Sequence, residues 1–149
     1  MPLTPRQVAE QVCKMVAGEG VAFADLFAAD GVMAYPFAPP GLPSELRGRD
    51  AIRAYFDGLG PSRDLFAMDG VDAKTWETDD PQVVVTEITH HGKSNVTGAP
   101  YLFTALGVIR VRDGEIVHYD DYMDPIALAR LLGRTGELAA ALTAAAPDA

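Results

Sequence analysis

The spacing of hydrophobic residues changes along the chain, from three or four residues in its first part to two from about residue 64 onward. The first spacing is typical of amphipathic helices and the second of half-buried strands. A first helix is predicted to begin after Thr4, whose hydroxyl can cap it, and to end at Gly18 and Gly20. Its apolar face would comprise Val8, Val12, Met15 and Val16.

Three further elements are predicted before residue 64. A short helix around 23–27 precedes a strand over 31–37. A loop rich in proline and glycine then leads to a helix over 49–60, with Asp50 as its N-cap.

The second half of the chain is predicted to contain four strands and then a short helix over 125–133. Between the last two strands, the pair Asp113-Gly114 favours a tight hairpin, because a type I′ turn requires positive φ at both central positions. The predicted strands cover residues 65–77, 82–91, 100–112 and 115–123.

This order, helices first and then a long antiparallel sheet, predicts the α+β class. Such a sheet twists and curls, so with helices packed across one side it would form a cone around an apolar pocket. A chain of 149 residues suffices for one core and not for two ordinary domains. We therefore expect one domain over residues 1–135 and an alanine-rich tail over 136–149.

Composition narrows the range of partners. The net charge of −9 and the isoelectric point near 4.6 argue against nucleic acid or an anionic membrane, since both require a basic surface. A single cysteine, Cys13, excludes an internal disulfide. The sequence has no apolar targeting segment at its start and no apolar run near the roughly 18 residues of a membrane span. We therefore expect a cytoplasmic protein.

Three stretches of the sequence resemble the nuclear transport factor 2-like superfamily, and within it the SnoaL-like proteins. They read LFAADGVMAYPFAPPG, LRGRDAIRAYFDGL and GVIRVRDGEIVHYDDYMDPIALARLLG, and the resemblance covers about residues 5–133. The last stretch is most similar to the ends of phenazine-biosynthesis A/B and limonene-epoxide-hydrolase-like proteins. The resemblance implies a cone-shaped fold. It does not select an activity, because the superfamily includes isomerases, cyclases, epoxide hydrolases, dehydratases and binding modules.

The segment GEIVHYDDYMDP, residues 114–125, contains three aspartates among apolar residues. Because side chains alternate along a strand, Asp120 and Asp121 should point to opposite faces of the sheet. The face of Asp121 would also carry Val117, Tyr119 and Met123, and the opposite face Ile116, His118 and Tyr122.

The resemblance aligns Asp121 with the acid of the SnoaL-like cyclases, which implies a catalytic role. We predict that Asp121 faces inward, where burial would raise its pKa toward the neutral range. The alternative is an aspartate at the rim that caps the helix beginning at Pro125. Asp124, directly before that proline, is the natural candidate for the cap.

His90 shares a predicted strand face with Ile88. The resemblance to limonene epoxide hydrolases would place an arginine and an aspartate at the positions of Ile88 and His90, so the arginine that positions the epoxide is missing. A His90–Asp121 pair across the pocket is then the remaining candidate for proton transfer near neutral pH. The alternative is a polar histidine at a strand end near solvent.

Tyr35 occupies the position at which the ketosteroid isomerases carry their base aspartate, and Val108 stands near their second acid. The resemblance therefore does not imply their mechanism. Tyr35 could hold a carbonyl or phenol oxygen, or it could be a core or rim residue. The aromatic and apolar residues predicted to bind the substrate are Met33, Phe37, Trp76, Tyr101, Phe103 and Tyr119.

We predict cyclisation or isomerisation of a hydrophobic, polyketide-like intermediate, with Asp121, His90 and Tyr35 as catalytic residues. No zinc-like spacing is present in the sequence, and we expect neither a metal nor a cofactor. Epoxide hydrolysis and a non-catalytic binding module are the alternatives. The superfamily commonly pairs through the outer face of this sheet, which implies a homodimer that buries Ile116, His118 and Tyr122.

Overall fold

The computed structural model describes residues 1–144. This part of the chain forms one curved, unclosed sheet with helices packed on its inner face. The helices are α1 (Pro5–Val16), α2 (Arg49–Gly58), α3 (Pro125–Leu131) and α4 (Thr135–Ala144), and two short 3-10 helices cover Phe23–Leu26 and Gly60–Leu65. The strands are β1 (Phe27–Ala34), β2 (Glu45–Arg47), β3 (Phe66–Glu77), β4 (Val83–Ser94), β5 (Pro100–Arg112) and β6 (Glu115–Met123).

The sheet has the strand order β2-β1-β6-β5-β4-β3. β1 pairs with β6 in parallel, and the other neighbours pair antiparallel. Helix α1 packs across β3, β4 and β5, while α2 packs against β1 and β2. The predicted α+β class, with a curved sheet on N-terminal helices, is confirmed.

Of the three helix caps predicted from the sequence, two are present in the structure. Thr4 accepts a hydrogen bond from the backbone of Gln7, and Asp124 accepts hydrogen bonds from the first backbone amides of α3. The prediction that Asp50 caps α2 is wrong. That helix begins at Arg49, after Gly48, and no side chain caps it.

The first strands differ from their predicted bounds. The strand predicted over 31–37 begins at Phe27 and ends at Ala34, and Phe27 is completely buried. Three residues of the predicted loop form β2, which pairs with the end of β1. The predicted tail over 136–149 is helical as far as Ala144, and residues 145–149 lie outside the described residues.

The hairpin between β5 and β6 has the predicted turn, with φ of 51° at Asp113 and 80° at Gly114. A bulge follows in β6, because Val111 pairs with Ile116 whereas Arg110 pairs with His118, so that Val117 has no partner. The extra residue turns Ile116 to the inner face, where it is completely buried. The prediction that Ile116 belongs to the outer face is therefore wrong.

The hydrophobic core lies between α1 and the inner face of the sheet. Its fully buried side chains include Val8 and Val12 from α1, Val84 from β4 and Ile109 from β5. Within residues 1–144, no helix is both long enough and apolar enough to cross a membrane.

Candidate active site around Asp121

Asp121 lies on the inner face of β6, and its neighbour Asp120 lies on the outer face. Asp121 pairs with Gly107 on β5. Asp120 pairs in parallel with Ala34, the last residue of β1, so the next residue, Tyr35, lies beside Asp121. On the outer face, Oδ1 of Asp120 is 2.8 Å from Nε2 of His118. The predicted orientation of the two aspartates is thus what the structure shows.

Asp121 is half-buried, and one oxygen atom of its carboxyl group is fully buried. Its Oδ1 atom is buried and has no hydrogen-bond partner among residues 1–144. Burial raises the pKa of Asp121 to about 7, because a carboxylate loses its hydration in an apolar surrounding. At neutral pH this group is present in both protonation states, so it can accept or donate a proton.

Two phenols flank this carboxyl group. Burial raises the pKa of Tyr35 and of Tyr119 well above that of a free phenol, and the negative charge of Asp121 is the second cause in both. Both hydroxyls therefore stay protonated at neutral pH and can donate hydrogen bonds. The Tyr35 hydroxyl donates a hydrogen bond to a weak acceptor, the Met33 sulfur at 3.8 Å.

His90 lies on the same inner face but at a distance from Asp121. Asp121 shares its row across the strands with Thr86, whereas His90 lies four residues further along β4 and pairs with Phe103. Four strand residues span roughly 13 Å. The predicted His90–Asp121 pair is therefore not formed, because the register of β4 against β5 separates the two side chains.

His90 belongs to an aromatic cluster instead. Its Nδ1 atom is hydrogen-bonded to the Tyr101 hydroxyl at 2.9 Å, and its ring stacks on Phe66 at 5.7 Å. Phe103, on the neighbouring strand β5, packs against the same ring with a centroid distance of 5.2 Å. Burial, followed by the nearby charge of His91, lowers the pKa of His90, so it is neutral at pH 7. The predicted lining residues Tyr101 and Phe103 thus surround His90 rather than Asp121.

The other predicted lining residues divide between the two faces. Met33 and Tyr119 are buried on the inner face, with exposed fractions of 2% and 5%. Trp76 is 48% exposed on the outer face, because its neighbour Thr75 points inward to Thr86. Phe37 is also exposed and packs against Tyr122, which shares the outer face. Trp76 and Phe37 are therefore corrected to the outer face.

The position at which the epoxide hydrolases would have arginine holds a core residue, Ile88, with 7% of its surface exposed. No cluster of three or more metal-binding side chains occurs within the part of the chain that the structure describes. The arrangement around Asp121 is thus one titratable carboxyl group between two neutral phenols, which suits proton transfer at a carbon or oxygen atom.

A family model described as a SnoaL-like domain matches residues 11–119. An uncharacterized PhzA/B-like protein of Pseudomonas aeruginosa is 32% identical over 116 residues, which cover 78% of this chain and 80% of that protein.

Two solved structures show the same fold. A Bacillus subtilis protein provisionally named an isomerase has a TM-score of 0.73 at 24% identity, over 88% of this chain and 94% of that chain. A Pseudomonas putida protein provisionally named a polyketide cyclase has a TM-score of 0.65 at 16% identity, over 87% and 98% of the two chains. By the family match over most of its length, the chain belongs to the SnoaL-like domain family.

Proposed function

We propose that this protein is a cyclase or isomerase that acts on a hydrophobic, polyketide-like small molecule by general acid–base chemistry at Asp121. The observation that carries the proposal is the buried Oδ1 atom of Asp121, which has no hydrogen-bond partner among residues 1–144, in a carboxyl group whose pKa is raised to about 7. A buried polar atom without a partner is rare unless a function requires it. The provisional names of two structural neighbours, isomerase and polyketide cyclase, agree with this chemistry.

The proposed reaction begins at a carbon atom next to a carbonyl group. The carboxylate of Asp121 removes a proton from this carbon, and the electron pair of the C–H bond moves toward the carbonyl oxygen to give an enolate. In an isomerisation, the carboxylic acid then returns the proton to another carbon of the conjugated system. In a cyclisation, the enolate carbon attacks a second carbonyl carbon, and the proton goes to the alkoxide that forms. Both routes regenerate the carboxylate.

Tyr35 would bind the oxygen atom on which the negative charge develops. Its hydroxyl is protonated, lies beside Asp121 and donates to the Met33 sulfur, so a substrate oxygen would be a better acceptor. His90 has no part in this step, because its hydrogen bond goes to Tyr101 at the far end of the inner face.

The proposal is tested by proton exchange, which needs no knowledge of the natural substrate. Small β,γ-unsaturated ketones and 1,3-diketones are incubated with the protein in D2O, and deuterium uptake and isomerisation are followed by NMR. Asp121→Asn should lower the rate about 10²- to 10⁴-fold, as expected for loss of a general base. Asp120→Asn is the matched control on the outer face and should stay within a few-fold of the parent. The parent rate should rise with pH and level off above about pH 7, since the carboxylate is the base.

If Asp121→Asn exchanges protons as fast as the parent, acid–base catalysis at this residue is disproved. A pocket that binds without catalysing would then be the better description. Native mass spectrometry of the purified protein would distinguish that case by detecting a small molecule bound at stoichiometric amounts.

A further inference from the structure

One row of inner-face residues crosses four strands at the level of Asp121. Thr75 on β3 pairs with Thr86 on β4, Thr86 pairs with Gly107 on β5, and Gly107 pairs with Asp121 on β6. The hydroxyls of Thr75 and Thr86 are 3.0 Å apart. Gly107 is thus the one position in this row without a side chain, and it lies directly beside the acid.

The space above Gly107 is filled by the Tyr119 hydroxyl. Tyr119 pairs with Ile109, two residues away on β5, so its ring leans along the strand toward Gly107. A Cβ atom at position 107 would lie 2.7 Å from the Tyr119 hydroxyl oxygen and 2.9 Å from Cζ, closer than real Cβ contacts occur. Since Gly107 has no positive φ, it is required here for space and not for backbone conformation.

This arrangement brings the Tyr119 hydroxyl close to the carboxyl group. Residues paired across neighbouring strands have Cβ atoms about 5 Å apart. Gly107 pairs with Asp121, and the Tyr119 hydroxyl occupies the space in which a side chain at position 107 would lie. Nevertheless, Oδ1 of Asp121 has no partner among residues 1–144. The carboxylate can therefore act on a C–H bond of the substrate while the nearby hydroxyl donates to the oxygen of the adjacent carbonyl group.

We infer that the Tyr119 hydroxyl donates a second hydrogen bond to the substrate oxygen that Tyr35 binds, and that Gly107 is a positioning residue for this hydroxyl. The inference rests on the proposed function and adds a second donor, next to Tyr35, for the oxygen that gains charge. The groups in and beside this row, Thr75, Thr86, Tyr35 and Tyr119, are uncharged. The reacting group is therefore an uncharged carbonyl or enol, since a substrate carboxylate would be buried beside that of Asp121 without a compensating cation from the groups named above.

The test uses 1-naphthol, whose hydroxyl lies in the plane of a conjugated ring as an enol hydroxyl does, and its binding is followed by fluorescence. Tyr119→Phe should weaken binding about 3- to 10-fold, the loss expected for one neutral hydrogen bond. Gly107→Ala should weaken it to a similar extent by displacing the hydroxyl. Tyr122→Phe, on the outer face of the same strand, is the control for the first variant. Gly58→Ala, where a Cβ would meet nothing within 4 Å, is the control for the second.

The double variant Gly107→Ala/Tyr119→Phe separates positioning from general damage to the fold. If Gly107 acts through the hydroxyl, the double variant binds 1-naphthol no more weakly than Tyr119→Phe alone. A merely structural effect of Gly107→Ala would instead add to that of Tyr119→Phe. Urea unfolding of each variant records any loss of stability independently of binding.

The outcomes distinguish this inference from the proposed function. If Tyr119→Phe binds 1-naphthol like the parent, or if the parent does not bind it, the inference is overturned even when Asp121→Asn has lost proton exchange. If Tyr119→Phe weakens binding while Asp121→Asn exchanges protons normally, the hydroxyl binds ligand and the proposed reaction fails. Tighter binding of 1-naphthoate than of 1-naphthol at pH 8 would overturn the uncharged substrate class.

Discussion

Asp120 and Asp121 are adjacent in the sequence and have opposite surroundings. Asp120 points outward, where its Oδ1 lies 2.8 Å from Nε2 of His118. Asp121 points inward, where its Oδ1 is buried without a hydrogen-bond partner in the described part of the chain and its pKa is raised to about 7. The alternation of side chains along β6 thus creates one acid that can titrate near neutral pH and, one residue away, a natural control for it.

The raised pKa of Asp121 predicts a loss of stability as the pH rises. The folded protein holds this proton until about pH 7, whereas the unfolded chain loses it near pH 4. The free energy of unfolding should therefore decrease between about pH 4 and 7 and then level off, by at most about 4 kcal/mol from this residue. Urea unfolding of the parent and of Asp121→Asn at several pH values measures the difference.

In Asp121→Asn this part of the pH dependence should disappear, because the amide does not titrate. Asp120→Asn should keep it. A parent protein whose stability relative to Asp121→Asn does not change between pH 4 and 8 would show that Asp121 titrates normally in the folded state.

His90 should be dispensable for proton exchange. His90→Asn removes the hydrogen bond to Tyr101 and the stacking on Phe66, so some loss of stability is expected. The rate of deuterium uptake should stay within a few-fold of the parent, since His90 lies roughly 13 Å along β4 from the row of Asp121. A loss as large as that of Asp121→Asn would mean that the two residues act together.

The outer face of the sheet should mediate a homodimer. It carries exposed apolar side chains, including Trp76 with 48% and Leu102 with 67% of their surface exposed. Leu106 lies opposite Glu87 on this face, so Leu106→Lys would gain a cross-strand ion pair in the monomer but bury a charge in a dimer. Sedimentation at micromolar concentration should show a dimer for the parent and a monomer for Leu106→Lys.

Ala54→Lys places the same charge on the exposed face of α2 and should leave the dimer intact. A parent protein that sediments only as a monomer would refute the dimer.

Gly92→Ala should destabilise the protein severely. A Cβ atom at this position would overlap the backbone oxygen of Ala67, and a backbone atom within a paired strand cannot easily move aside. The expected loss is several kcal/mol, in the range of overpacked core sites. Gly60→Ala, where a Cβ would meet nothing within 4 Å, should change the unfolding midpoint little. Equal midpoints for the two variants would contradict the close approach of β3 to Gly92.

Local interactions were readable in the sequence because each depends on residues within a few positions. The cap by Thr4, the cap by Asp124 and the turn at Asp113-Gly114 were all predicted and are all present. Alternation within β6 likewise sufficed to place Asp120 and Asp121 on opposite faces. The role of Asp121 as the proton-transfer group stays a prediction.

Contacts between strands were less accessible to sequence reasoning. From the hairpin pair Arg112 and Glu115, counting residue by residue would place Gly107 opposite Asp120. The bulge at Val117 shifts the pairing by one and places Gly107 opposite Asp121. The turn sequence does not specify this extra residue. The space that admits the Tyr119 hydroxyl was therefore visible only in the structure.

The sequence by itself determined the class of fold, the ends of several helices and strands, and the opposite orientations of Asp120 and Asp121, since these follow from periodicity and from neighbouring residues. Only the tertiary structure decided that His90 lies far from Asp121 and that Trp76 and Phe37 lie on the outer face. The physical reason is that alternation divides a strand into two faces without stating which one the helices cover. Register between strands distant in sequence is likewise set by packing of the whole core.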